Sequence, residues 1–184
     1  MVLSKEILGP IVRKENLDIP AKDYFSLPEK VLQFGTGVLL RGLPDYFIDK
    51  ANKQGLFNGR IVLIKSTAAG STDDFNRQDG LYTICVKGIE DGKLREENII
   101  NASISRVLSA SSAWNKILEC AVDPNIEIII SNTTEVGLDL VKERIDLNPP
   151  SSALLNDNIS FTFLSAVSIA HKRYSSAMII RSSS

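Results

Sequence analysis

Hydrophobic and polar positions change period along this chain, and the changes mark out its elements. Arg60-Ile61-Val62-Leu63-Ile64-Lys65 is an unbroken apolar run rich in β-branched residues, the pattern of a strand buried on both faces of a parallel sheet. Lys30 to Phe34 reads as an earlier strand that enters Gly35-Thr36-Gly37. Beyond that turn Leu39, Leu40, Leu43, Phe47, Ile48 and Ala51 recur at helical spacing, and Gly55 is the stop. Pro44 lies inside this pattern, so the helix either begins near it or kinks there. Strand, helix and strand within about 35 residues make a βαβ unit.

The second half continues in the same manner. Residues 66 to 80 form a polar loop, Leu81 to Lys87 alternates as a strand, and Asp91-Gly92 is a hairpin turn whose return strand runs on towards Val107. A helix beginning at Ser111-Ser112 puts Trp114, Ile117, Leu118 and Ala121 on one side, with Trp114 as a core anchor. Asp123-Pro124-Asn125 ends it, and Ile126 to Ser131 is the next parallel strand. The pattern predicts an α/β fold: a Rossmann-type, doubly wound, mainly parallel sheet with an inserted β-hairpin. Residues 1–29 read as a lead-in wrapping the first strand and 1–150 as one nucleotide-binding domain.

Composition narrows the class. With 184 residues, 43% hydrophobic and 23% charged content and a net charge of -1, the chain has the make-up of an ordinary globular protein and lacks the basic excess of a nucleic-acid binder. It carries no apolar run of membrane-spanning length and no signal-peptide core, so a cytoplasmic protein without membrane contact is expected. Cys85 and Cys120 have no CxxC spacing, which excludes the common metal and redox motifs and predicts two reduced core thiols. No metal site is expected.

The chemistry centres on the first turn. A strand running into Gly-x-Gly and a helix brings backbone N–H groups together where a pyrophosphate binds. Val31, Leu32, Gln33, Phe34, Gly35, Thr36, Gly37, Val38, Leu39, Leu40, Arg41 and Gly42 are therefore the candidate cofactor loop. The third glycine of the fingerprint is replaced by Leu40, and a tight turn that only packs would use the same residues. Arg41 suits a phosphate or substrate carboxylate, or equally a solvated helix face. The acid that usually holds the NAD ribose is replaced by Lys65-Ser66-Thr67, so Lys65 keeps NADP open beside NAD. Asn132, Thr133 and Glu135 follow a buried strand at the ligand-binding edge of the sheet. The stretch Asn132-Thr133-Thr134-Glu135 suits a ribose or a helix N-cap alike.

Three stretches together carry a resemblance. Gln33 to Arg41, Gln78-Asp79-Gly80-Leu81-Tyr82-Thr83 and Ser131-Asn132-Thr133-Thr134-Glu135-Val136-Gly137 resemble the N-terminal half of the polyol-specific long-chain dehydrogenases, the mannitol dehydrogenase family, over about residues 25–150. The resemblance implies NAD binding through a Gly-x-Gly-x-x-x-Arg loop, with the Asn-Thr-Thr-Glu stretch by the nicotinamide ribose. It also implies reversible hydride transfer between NADH and C3 of a hexuronate, tagaturonate to altronate. The family's second, helical domain supplies a catalytic Lys with Asn and His nearby. No such cluster occurs here: the single histidine, His171, stands beside Lys172 and Arg173, and no catalytic residue is expected in this chain. Ten of the 34 residues from Ser151 are serine, so 151–184 reads as an atypical tail, frameshifted or truncated, and loss of the partner domain predicts self-association through the uncovered face. A stand-alone nucleotide-binding or interaction module is the alternative. A methyltransferase loop ranks below both, since Gln33 stands where that loop carries an acid.

Overall fold

The computed structural model describes residues 2–11, 14–65, 72–133 and 177–181. The lead-in contains a one-turn helix, α1 (Lys5–Leu8), and a two-residue strand, β1 (Leu17–Asp18). The main sheet is built from five parallel strands: β2 (Glu29–Phe34), β3 (Arg60–Lys65), β6 (Ile104–Ser109), β7 (Ile128–Thr133) and β8 (Ala177–Arg181). Their order across the sheet is β6-β3-β2-β7-β8, or 3-2-1-4-5 when these strands are counted along the chain. The chain reverses its direction of winding between β2 and β7, the switch point at which open α/β sheets bind ligands. β3 has the bounds of the β-branched run, and all six of its residues are buried.

Alternation along the strands divides the core between the two faces. Leu32, Phe34, Val62, Ile64 and Ile129 face Trp114, Ile117, Cys120 and Ala121 of α5 (Trp114–Val122). Val31, Ile61 and Ile130 face Leu40 and Ile48 on the other side. Leu40 belongs to α2 (Val38–Gly42) and Ile48 to α3 (Pro44–Lys53). The proline pattern resolves into both of its readings: α2 and α3 lie end to end, separated at Leu43, and Pro44 opens α3, where its missing N–H costs nothing. Gly55 just past α3 takes φ +68 and donates to Asn52 O at 2.9 Å.

The hairpin, β4 (Tyr82–Glu90) and β5 (Lys93–Asn101), belongs to a second, three-stranded sheet of order β1-β5-β4. Asp91 and Gly92 have φ of +52 and +74, the left-handed pair that a two-residue hairpin turn requires. The return strand does not reach Val107. It stops at Asn101, whose side chain accepts from the Ser103 N–H (2.9 Å) and hydroxyl (2.7 Å) and so turns the chain out of the hairpin and into β6. Arg60 fastens this crossing: it is buried and donates to Ala102 O at 3.1 Å, to Phe25 O at 3.4 Å and to Ile104 O.

Other differences are local. The lead-in packs on the hairpin more than on the first strand, with Leu3, Leu8, Leu17, Ile19 and Phe25 against Leu81, Ile100 and Ala102. α5 starts at Trp114, after the two serines. A short helix, α4 (Asp73–Arg77), interrupts the polar loop. Cys120 is buried, but Cys85 is exposed on β4, because among the described residues nothing covers the outer part of the hairpin. The boundary at residue 150, His171 and most of 151–184 lie outside the described residues; residues 177–181 of that stretch supply β8 as the edge strand beside β7. No helix among the described residues is long and apolar enough to cross a membrane.

Candidate functional site

The Gly35-Thr36-Gly37 turn sits at the carboxyl end of β2, beside the ends of β3 and β7. Its first glycine is constrained: Gly35 has φ +109, its N–H donates to Ile64 O at 2.9 Å, and a Cβ there would meet Leu40 Cδ1 at 3.2 Å. The turn is thereby anchored to β3. Among the described residues nothing constrains Gly37. Its φ of -65 and ψ of 159 are open to any residue, and a Cβ would meet no atom within 4 Å. No side chain caps α2 at this point. A glycine that the fold does not need, facing open space at a sheet switch point, fits close approach by a pyrophosphate.

The candidate residues divide by position. Val31, Leu32, Gln33 and Phe34 are buried in β2 and support the turn from below. Thr36 is half-buried, Gly37, Val38, Leu39 and Gly42 are exposed, and Leu40 points into the core. Lys65 is buried at the end of β3, on the strand face shared by Ile61 and Leu63, rather than standing on the rim. Asn132 lies in β7 across the switch point, and its Oδ1 is enclosed without a hydrogen-bond partner among the described residues. An orphaned acceptor beside the turn also fits a ligand that donates hydrogen bonds. Thr133 closes β7. Glu135, together with Ser66 and Thr67, lies outside the described residues.

Arg41 is half-buried beside the turn. Its Nε donates to Thr36 O at 3.1 Å, and its guanidinium centre lies 5.7 Å from the ring centroids of both Phe75 and Tyr82. It holds the middle carbonyl of the turn from behind while stacked against two aromatic faces.

Behind Arg41 is a polar cluster that sequence reasoning missed. Asp45, in the first turn of α3, is fully buried. The Tyr82 hydroxyl lies 2.9 Å from Arg41 O and 3.3 Å from Asp45 Oδ2, and Asn101 Nδ2 donates to Asp45 O at 3.1 Å. Burial pushes the Asp45 carboxyl up to about 7, against the opposing influence of Gln33, Tyr82 and Arg41. The Gln33 amide lies near enough to favour the charged carboxylate, yet neither of its polar atoms, nor Asp45 Oδ1, has a hydrogen bond of good geometry among the described residues. Burial and then the Asp45 charge push the Tyr82 phenol well up, so it remains a donor. One turn on, Asp49 accepts from Ala102 N–H at 2.9 Å and pairs with Lys53, which also reaches Asp18, both at 2.7 Å. In sequence Asp45 resembles any acid in a first helical turn; of its neighbours, Gln33 and Tyr82 lay within motifs already singled out. No group of three or more His, Cys, Asp or Glu among the described residues is arranged to hold a metal.

No protein-family model matches the chain. It is similar to curated altronate oxidoreductases. Identity is 45% over 121 residues with that of Halalkalibacterium halodurans, covering 65% of this chain and 24% of the relative. With that of Bacillus subtilis it is 39% over 127 residues, 68% and 26%. With that of Klebsiella pneumoniae it is 34% over 137 residues, 73% and 28%. The chain spans about a quarter of the length of the curated relatives it matches. Among solved structures, Pseudomonas fluorescens mannitol 2-dehydrogenase in ternary complex with NAD and D-mannitol superposes with a TM-score of 0.74 at 21% identity, over 98% of this chain and 39% of that one. D-sorbitol dehydrogenase in substrate-free form gives 0.72 at 18% identity, over 100% and 40%. These likenesses show a Rossmann-type fold.

Proposed function

We propose that this chain, homologous to the altronate oxidoreductases over about two-thirds of its length, is the NAD(H)-binding part of a hexuronate oxidoreductase. The observation that carries the reading is the Gly35-Thr36-Gly37 turn at the switch point of the 3-2-1-4-5 sheet, with open space at Gly37. The pyrophosphate would lie over Gly37, held by the backbone of the turn, and the nicotinamide end towards β7, where Asn132 Oδ1 would accept a hydrogen bond. When bound, the dinucleotide would supply the hydride that the carbonyl carbon of tagaturonate accepts, as the carbonyl oxygen takes up a proton to give altronate. Arg41 fixes the shape of the turn, and Leu40 and Phe34 exclude water beneath it. NAD is preferred over NADP, because Lys65 is packed into β3 and not offered to a 2′-phosphate.

Among the described residues we assign no proton donor to the carbonyl, so the chain binds cofactor without turnover by itself. The exposed stripe of Val38, Leu39, Leu43 and Phe47 is the face we assign to self-association. We place the protein in the cytoplasm, where reducing conditions suit the free thiols of Cys85 and Cys120. Titration of the purified chain with NADH, followed by nicotinamide fluorescence, tests the assignment. Saturable binding, weaker binding of NADPH and no NADH oxidation on adding tagaturonate are expected. A folded chain that shows no saturable NADH binding would refute the reading, and saturable binding of S-adenosylmethionine in its place would favour a methyltransferase.

A further inference from the structure

The Tyr82 hydroxyl is a single donor placed between two acceptors. One is the carbonyl of Arg41 at 2.9 Å, the residue whose Nε holds the Thr36 carbonyl of the glycine turn; the other is Asp45 Oδ2 at 3.3 Å. One proton cannot serve both acceptors fully. We propose that Tyr82 and Asp45 are positioning residues for the dinucleotide turn. A protonated Asp45 donates to the Tyr82 oxygen and directs the Tyr82 proton to Arg41 O, bracing the turn; an ionised Asp45 draws that proton to itself and releases the carbonyl. The inference rests on the reading of the turn as a dinucleotide site.

Asp45 is enclosed by groups from every element packed around it. Gln33 faces it from β2, Arg41 from α2 and Tyr82 from β4, while the Asn101 amide of β5 holds its main-chain oxygen. The Ser103 hydroxyl, just past β5, and Asp49, further along α3, also act on Tyr82; Asp49 is itself paired with Lys53, whose second partner is Asp18. Arg41 is the one cation among the groups acting on the Asp45 carboxyl. It favours the ionised form, but burial outweighs it and carries the titration to about 7. Below that value Asp45 holds its proton and the turn is braced. As pH rises through it, the proton leaves to solvent, the chain of donors Asp45 to Tyr82 to Arg41 O is broken, and the turn loosens. Tyr82, held well above its ordinary value, keeps its proton throughout.

The test is NADH affinity between about pH 6.0 and 8.5, a window that brackets the titration of a carboxyl raised to neutrality, together with amide and Arg41 Nε resonances of the dinucleotide-free protein. In the unaltered chain Kd is expected to rise about five-fold across neutrality, the scale of one hydrogen bond. Asp45→Asn should give a flat profile at the tight, acid-side level, because its amide N–H donates to the Tyr82 oxygen as the acid does. Tyr82→Phe, which keeps the ring beside Arg41, should be flat at the weaker level. The Gly37 amide and Arg41 Nε resonances should titrate together near neutrality in the unaltered chain and in neither variant. A pH-independent Kd in the unaltered chain, or variants that keep its profile, would overturn the inference with the cofactor reading intact. Should NADH not bind at any pH, the cofactor reading fails, and the resonances alone decide: common titration that both variants lose upholds the coupling, and its absence or survival in the variants overturns it.

Discussion

Two glycines two residues apart carry different burdens, and separating them tests the site directly. At Gly37 an added methyl meets no atom of the described residues within 4 Å and the backbone lies at φ -65. Gly37→Ala should gain about 0.4–1 kcal/mol from the reduced freedom of the unfolded chain and lose a similar amount because alanine is a poorer N-cap than glycine. Stability should therefore stay within about 0.5 kcal/mol of the unaltered chain. The same methyl occupies the space into which a pyrophosphate must come, so NADH affinity should fall at least about ten-fold, or about 1.4 kcal/mol, and further for Gly37→Val. At Gly35 the order is reversed. A side chain is strained at φ +109 and its Cβ lies 3.2 Å from Leu40 Cδ1, so Gly35→Ala should cost about 1–3 kcal/mol of stability. Urea unfolding gives the first quantity and NADH titration the second, on the same preparations. Unchanged NADH affinity in folded Gly37→Ala and Gly37→Val would refute the reasoning, since it would mean that the open space serves no ligand.

Three further outcomes follow from local geometry. Asn52 exchanges hydrogen bonds of 2.7 and 3.0 Å with the main chain of Gly59, so Asn52→Ala leaves a buried N–H and C=O unpaired and should cost about 2–3 kcal/mol in urea unfolding. Gly80 combines φ +76 with an approach that would put a Cβ 2.6 Å from Ile104 O, and Gly80→Ala should cost at least about 2 kcal/mol; Gly92→Asn, at φ +74 but in open space, should cost well under half of that in the same assay. Burial raises the Glu29 carboxyl, but hydrogen bonds from Arg106 and Ser105 outweigh it and hold the group below its ordinary 4.5. The folded state thus favours the ionised form: its contribution is present above that value and is lost as pH falls below it. Glu29→Gln should flatten the acid limb of a stability profile taken from about pH 6 to 3, and an unchanged limb would assign acid sensitivity elsewhere.

The period of the apolar residues by itself located three strands of the parallel sheet, β2, β3 and β7. A strand buried on both faces has no polar alternation, so β3 could be bounded to the residue. Asp91-Gly92 fixed the hairpin because few other pairs tolerate two left-handed residues in succession. Gly35 and Gly37 marked the candidate site for the same kind of reason: the backbone demands a glycine at 35, and the ligand approach proposed at 37 would leave one there. Where two strands are joined with no turn signature, periodicity fails. Ile99, Ile100, Ala102 and Ile104 read as one strand, and the break appears only in the Asn101 side chain folding back on Ser103.

Tertiary structure alone decided the fate of the charged groups. Asp45 and Asp49 each look like surface residues, and Arg60 like the charged end of its strand, because the local sequence contains nothing that would desolvate these groups. Their partners lie far along the chain: Tyr82 is 37 residues from Asp45, Ala102 is 53 from Asp49, and Ile104 is 44 from Arg60. Whether a carboxyl is solvated at its ordinary value or buried near 7 depends on which elements the topology lays over it. Here the hairpin sheet closes over α3, and an acid in a first helical turn becomes the buried group behind the glycine turn.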